Sequence, residues 1–111
     1  MPGKFEMYKD KGGKFRFRLK AGNGQIILSS QGYKNKAGCM NGVKSTQKNA
    51  AIAERFEKTE TKAGKFAFSL RAANKQIVGS SQQYKTTVSR DKGIASVMRN
   101  APEASIVEID L

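Results

Sequence analysis

The chain has 111 residues, 38% of them hydrophobic, and carries 21 Lys+Arg against 9 Asp+Glu, a formal charge of +12. That length suits a single domain, residues 1–111, with one core, and no apolar run is long enough to cross a bilayer as a helix. With no histidine and one cysteine, Cys39, the chain has no intramolecular disulfide, no Cys/His metal site and no Ser–His or Cys–His pair, so an enzyme is disfavoured and no cofactor is expected.

In chain order, Met1-Pro2-Gly3-Lys4 leads into alternating residues rather than an apolar leader, and the cytoplasm is the expected location. A strand is predicted near 4–10. A second, 14–20, alternates Phe15, Phe17 and Leu19 with Lys14, Arg16, Arg18 and Lys20, a period of two with one buried face. The turn Ala21–Gly24 offers residues that tolerate positive φ, so a third strand, 25–30, closes a hairpin. After SSQGYK (Ser29–Lys34) the period changes. Asn35 is a suitable N-cap for a helix over 36–49, with Ala37, Val43, Thr46 and Gln47 on its inner stripe and Asn49 closing it. Gly38 and Gly42 each cost up to ~1 kcal/mol against alanine in such a helix.

From there the chain repeats itself at an offset of 51 residues, so that GKFRFRLKAGNGQIILSSQGYK (Gly13–Lys34) matches GKFAFSLRAANKQIVGSSQQYK (Gly64–Lys85). The second copy predicts strands at 54–61, 65–71 and 76–81, with Asn74 taking the positive φ in the turn. A helix over 87–100 follows, capped by Thr86, with Val88, Ile94, Val97 and Met98 on its stripe, closed by Asn100 and blocked by Pro102. KFEMYK (Lys4–Lys9), RFEKTE (Arg55–Glu60) and IVEIDL (Ile106–Leu111) are equivalent, which gives a last strand at 105–111 and three related strands for two repeats. The middle one, 54–61, is expected to serve both copies, 4–54 and 55–111. The economical arrangement is α+β: a tandem β-β-β-α-β repeat whose two helices return to one shared antiparallel sheet. A monomer with an internal pseudo-twofold axis follows, because the second copy fills the place of a second subunit.

The GKFxFxLKAxNGQxIxSSxxY pattern, the tandem period and the closing GIASV (Gly93–Val97) resemble the YegP-like family, small bacterial proteins of unknown function with one or two copies of this domain. The resemblance implies copies that share a sheet and exchange their C-terminal strands. It implies no reaction, cofactor or ligand.

Two groups of residues are candidates for anion contact. Lys14, Arg16, Arg18 and Lys20 form a basic row on the solvent side of one strand, and the charge is concentrated in the same half: residues 1–55 hold 12 basic and 3 acidic side chains, residues 56–111 hold 9 and 6. That strand presents no outward aromatic for base stacking, so any nucleic acid or other polyanion would be bound weakly and without sequence preference. The recurring Glu6, Glu57 and Glu108 offer the alternative of a solvated ladder of cross-strand ion pairs. The second group is the duplicated strand-to-helix junction, Ser29, Ser30 and Lys34 with Ser80, Ser81 and Lys85, where hydroxyls, ammonium groups and a helix start meet. The competing reading is scaffold: serines satisfying backbone groups where a ladder stops, and tyrosines plugging the core edge. Cys39 lies among Lys34, Lys36 and Lys44, which would lower its pKa, but without a histidine a structural role is expected. Two functions therefore stand at this point: a non-catalytic binding module for an anionic partner, and a structural or stress-associated protein whose charge serves solubility.

Overall fold

A computed structural model describes residues 3–109. Its elements are β1 (Lys4–Lys9), β2 (Phe15–Lys20), β3 (Ile26–Ser29), α1 (Lys36–Asn49), β4 (Phe56–Glu60), β5 (Phe66–Arg71), β6 (Ile77–Ser80), α2 (Thr87–Asn100) and β7 (Ser105–Glu108), with 3-10 turns at Ala53–Arg55 and Ala101–Glu103. The predicted end of the last strand, 110–111, lies outside the described residues. The seven strands form one sheet in the order β4-β5-β6-β3-β2-β1-β7. Phe5, Met7, Phe17, Leu19, Leu28, Phe68 and Leu70 are buried in one cluster with Val43 and Val97 of the helices. α1 packs on β2 and reaches β5 and β6 of the other half, while α2 packs on β5 and reaches β3. The core is thus common to both repeats.

Only one of the ladders departs from the antiparallel expectation. β1 and β4 each pair antiparallel with their own hairpin, through β2 and β5. β7 has no hairpin left to join and adds outside β1 in parallel, with Phe5 opposite Ile106 and Met7 opposite Glu108. β4, expected to serve both copies, follows α1 of the first copy in the chain, pairs with β5 of the second and lies at the sheet edge. The two hairpins meet within the sheet at a single bridge, Ser29 to Ser80. There the copies have become complementary: a Cβ on Gly79 would stand 2.7 Å from Cγ and Cδ2 of Leu28, so leucine in one copy fills space that glycine leaves in the other. Two leucines would collide.

Both helices are capped as their sequences suggest: Gly38 N–H donates to Asn35 Oδ1 at 2.7 Å, and Ser89 N–H to Thr86 Oγ1 at 3.0 Å. At the far ends the C-caps are Ala50 and Ala101, and Asn49 and Asn100 instead donate through Nδ2 to the carbonyls of Ser45 and Ser96, both at 2.8 Å. The stripe of α2 also needs correction. Val88 is 63% exposed, because the buried phase runs through Gly93, Val97 and Asn100, about half a turn away from it. Asn74 does not take the positive φ either. Asn23 and Asn74 accept from the N–H two residues on, and left-handed backbone falls on the residue between, Gly24 (φ 86) and Lys75 (φ 71).

Candidate functional site

The strand registers line up Val107, Glu6, Arg18, Ser29, Ser80, Ser69 and Glu57 in one row across the face opposite the helices. In the first half the row is a cation cluster built around acids. Glu6 is 5% exposed, and its carboxylate takes Arg18 Nε at 2.7 Å, Lys20 Nζ at 3.2 Å and Lys4 Nζ at 3.6 Å. Burial alone would raise its pKa; the hydrogen bonds and charges of Arg18 and Lys20 outweigh that and hold it below its ordinary value. Two residues back along β2, Arg16 Nε donates to Asp10 at 2.6 Å, and this bond, with the N–H groups of Lys14 and Gly12, lowers the Asp10 pKa. Tyr8, on the same face, lies under the Arg18 guanidinium, 4.7 Å from the ring centroid. Lys14 is exposed beside Gly32. In the second half Ala67 and Ser69 stand where Arg16 and Arg18 do, and Arg71 pairs with Glu57 at 2.9 Å. Glu108 does not join this pattern. The parallel register turns it to the helix side, where it pairs with Lys36.

The duplicated junctions come together at the seam. Ser29, Ser30, Gln31, Ser80, Ser81 and Gln82, with Ile26 and Ile77, line one cavity of about 470 Å³. Lys34 and Lys85 are exposed at the bends before the helices and do not line it. The second serine of each pair is committed to backbone: Ser30 Oγ accepts from Phe17 N–H at 2.8 Å and donates to Gln31 O at 2.8 Å, and Ser81 Oγ does the same with Phe68 N–H (2.9 Å) and Gln82 O (2.7 Å). These bonds replace the ladder where β3 and β6 leave the sheet. The tyrosines bridge back to the hairpins, Tyr33 to Phe15 and Tyr84 to Phe66. Each ring stacks on its core phenylalanine, with centroids 6.4 Å and 6.3 Å apart, and lies against a helix glycine, Gly42 or Gly93, where a Cβ would meet Cζ at 2.8 Å. The helical glycines that propensity counts as defects are the places where the tyrosines fit. Cys39 is fully buried, and burial pushes its thiol up to about 11, the reverse of the shift its lysine neighbours suggest in sequence; at the matching position Arg90 lies over the Phe66 ring, 5.6 Å from the centroid.

Sequence reasoning located the row but missed Tyr8 and Lys4, which belong to β1 and reach the row only through the β1–β2 register. The alternation KFEMYK carried that signal. Lys44, Lys48 and Arg55 were also passed over; they surround a cavity of about 470 Å³ between the end of α1 and the β5–β6 turn.

Comparison with known proteins gives a consistent result. The chain matches the family described as Domain of unknown function (DUF1508) twice, over residues 10–57 and 61–108. It is 57% identical over 109 residues to the UPF0339 protein in ptx operon 5'region of Stutzerimonas stutzeri, covering 98% of each. With the UPF0339 protein YegP of Escherichia coli (strain K12) it shares 47% over 106 residues, 96% of each. The solution NMR structure of the protein of unknown function yegP from E. coli superimposes with a TM-score of 0.92 at 46% identity, over 97% of this chain and 93% of that one. Each matched segment ends on the strand after its helix, and that strand pairs outside its own unit: β4 with β5, β7 with β1.

Proposed function

The chain belongs to the DUF1508 family of UPF0339 proteins, and from that premise we propose that it is a non-catalytic binding module for an anionic partner such as nucleic acid, bound without sequence specificity. It acts as a monomer, its second repeat standing in for a second subunit. One observation carries the reading: on the open face of the first half, Lys4, Arg18 and Lys20 gather around Glu6 and Arg16 pairs with Asp10, while Lys14 stands exposed at the end of the same row. Both guanidinium groups are tethered through Nε, which orients them without cancelling the excess of cations. Lys14, Arg16, Arg18 and Lys20 are the phosphate contacts in this reading, Ser29 and Ser80 continue the row, and the remaining junction residues are peripheral.

The test is a fluorescence-anisotropy titration with duplex DNA and with single-stranded RNA at rising salt. With about four duplex phosphates neutralised, log K should fall against log salt with a slope near −3.6 and show no base preference. Replacing Lys14, Arg16, Arg18 and Lys20 by glutamine should flatten most of that slope. The alternative, a structural protein whose charge serves solubility, is favoured by the same cluster of three cations around Glu6. Absence of binding at about 50 mM salt, where phosphate contacts are strong, would leave that alternative standing.

A further inference from the structure

The sheet is symmetric except at its ends. β4-β5-β6 mirrors β1-β2-β3 about the Ser29–Ser80 bridge, and β7 then adds a seventh strand outside β1. Outside β4, the equivalent position, no strand lies among the described residues. The asymmetry follows from fusion. Two unlinked repeats would bring two first strands and two last strands; in the tandem chain β4 is at once the last strand of one unit and the first of the next, so one of eight strand positions is vacant.

The two ends of the sheet show what that vacancy exposes. Where β7 covers β1, Phe5, Met7 and Val43 are fully buried, Gln47 Nε2 donates to Ala104 O at 3.3 Å, and Ile109 N–H donates to Met7 O at 2.8 Å. Their counterparts 51 residues on are Phe56, Lys58, Ile94 and Met98. Phe56 and Ile94 are only half-buried, and with Ala53, Ala95 and Met98 they line an open groove of about 390 Å³, rimmed by the exposed Lys58–Asp91 pair at 3.3 Å. The groove is the footprint of the missing strand.

We propose that this groove and the free edge of β4 form a docking site for an acidic, extended segment of a partner protein, which adds in parallel to β4 as β7 adds to β1. The register of β7 sets the chemistry of that segment. Ile106 lies opposite Phe5 and Glu108 opposite Met7, so in the vacant slot an aliphatic side chain meets Phe56 and a residue two positions later meets Lys58, where a carboxylate is favoured. Lys58 is the cation at the groove, and the second half still carries 9 basic against 6 acidic side chains, which favours an acidic segment over a basic one. Glu57, Lys58 and Glu60 on β4 discourage indiscriminate edge pairing. The site lies on the helix side of the second half, away from the basic row, and does not depend on the anion reading.

The probe is a synthetic peptide with the sequence of residues 101–109, added to the isotope-labelled full chain and followed by amide chemical shifts. Saturable shifts confined to Phe56–Glu60 and to Ile94, Ala95 and Met98 are expected. Ala95→Glu on the exposed groove wall, or Ile106→Lys in the peptide, should weaken binding by about tenfold or more. Absence of saturable shifts at about millimolar peptide, a concentration that detects even weak binding, would overturn the proposal. So would shifts on β1 from displacement of β7, an affinity indifferent to both substitutions, or a dimer formed through β4 by the chain alone.

Discussion

Exchanging Leu28 and Gly79 between the halves tests whether the seam is held by complementary volume. Leu28 is 1% exposed, and its Cγ and Cδ2 occupy the space in front of Gly79. Leu28→Gly alone removes a fully buried side chain, at about 2–5 kcal/mol for the truncation and about 0.5–1 kcal/mol for glycine in a strand. Gly79→Leu alone drives a second leucine into the first and should cost about 1–3 kcal/mol through overpacking. Backbone strain does not enter, since Gly79 is not among the glycines with positive φ. Independent effects would sum to roughly 3.5–9 kcal/mol, enough to unfold many domains of this size. The double swap instead moves the same side chain to the other side of the pseudo-axis and should lie within about 1.5 kcal/mol of the parent. Guanidinium unfolding of the four proteins measures this directly. A swap as unstable as the two single changes combined would mean that the halves do not share that volume.

Gly42→Ala should destabilise by about 1–3 kcal/mol although alanine is the better helix former, because its Cβ would meet the Tyr33 ring; thermal unfolding reads the sign, and a stabilised variant would contradict the fit. Glu6, with its folded pKa lowered, contributes stability that is present above its unfolded pKa and is lost as pH falls through the folded value, below 4.5. Glu6→Gln should therefore be less stable at neutral pH and show a shallower acid limb, measured by urea unfolding from pH about 6 to about 2; an unchanged acid limb would reassign the dependence to Asp10 and Asp91. Cys39, with its thiol pKa near 11 and no exposed surface, should react with a thiol reagent at the rate of unfolding rather than directly; rapid labelling of the native protein would refute this. Lys75→Gly should gain about 0.5–1 kcal/mol by relieving the left-handed backbone at φ 71, visible as a raised midpoint.

The order and extent of the elements were legible because the sequence is written twice. Phe15, Phe17 and Leu19 against Phe66, Phe68 and Leu70 fix the strand phase, and Asn35 and Thr86 fix both helix starts. What the sequence did not reveal depends on contacts distant along the chain. The phase of α2 is set by Gly93 against Tyr84, so Val88, a good apolar candidate by spacing, faces solvent. Glu108 matches Glu6 and Glu57 in the alignment, yet a parallel ladder turns it to the other face. The basic row was visible as alternation, whereas its cage around Glu6 needs the β1–β2 register. Cys39 has lysines near it in sequence but is enclosed by the core, and burial decides its proton affinity.

The pairing of β7 with β1 has a consequence for synthesis on the ribosome. The first strand to emerge keeps an open edge until the seventh has been made, and α1 waits for β5 and β6 before its inner face is covered. At about 5–20 residues per second, the offset of 51 residues between the copies leaves the first half unfinished for roughly 3–10 s. During that interval the leading half displays a strand edge and an apolar helix face, the surfaces that chaperones and neighbouring nascent chains engage. A product truncated after β6 has the strands that cover α1 but keeps the β1 edge open, so that edge closes only once β7 has been translated.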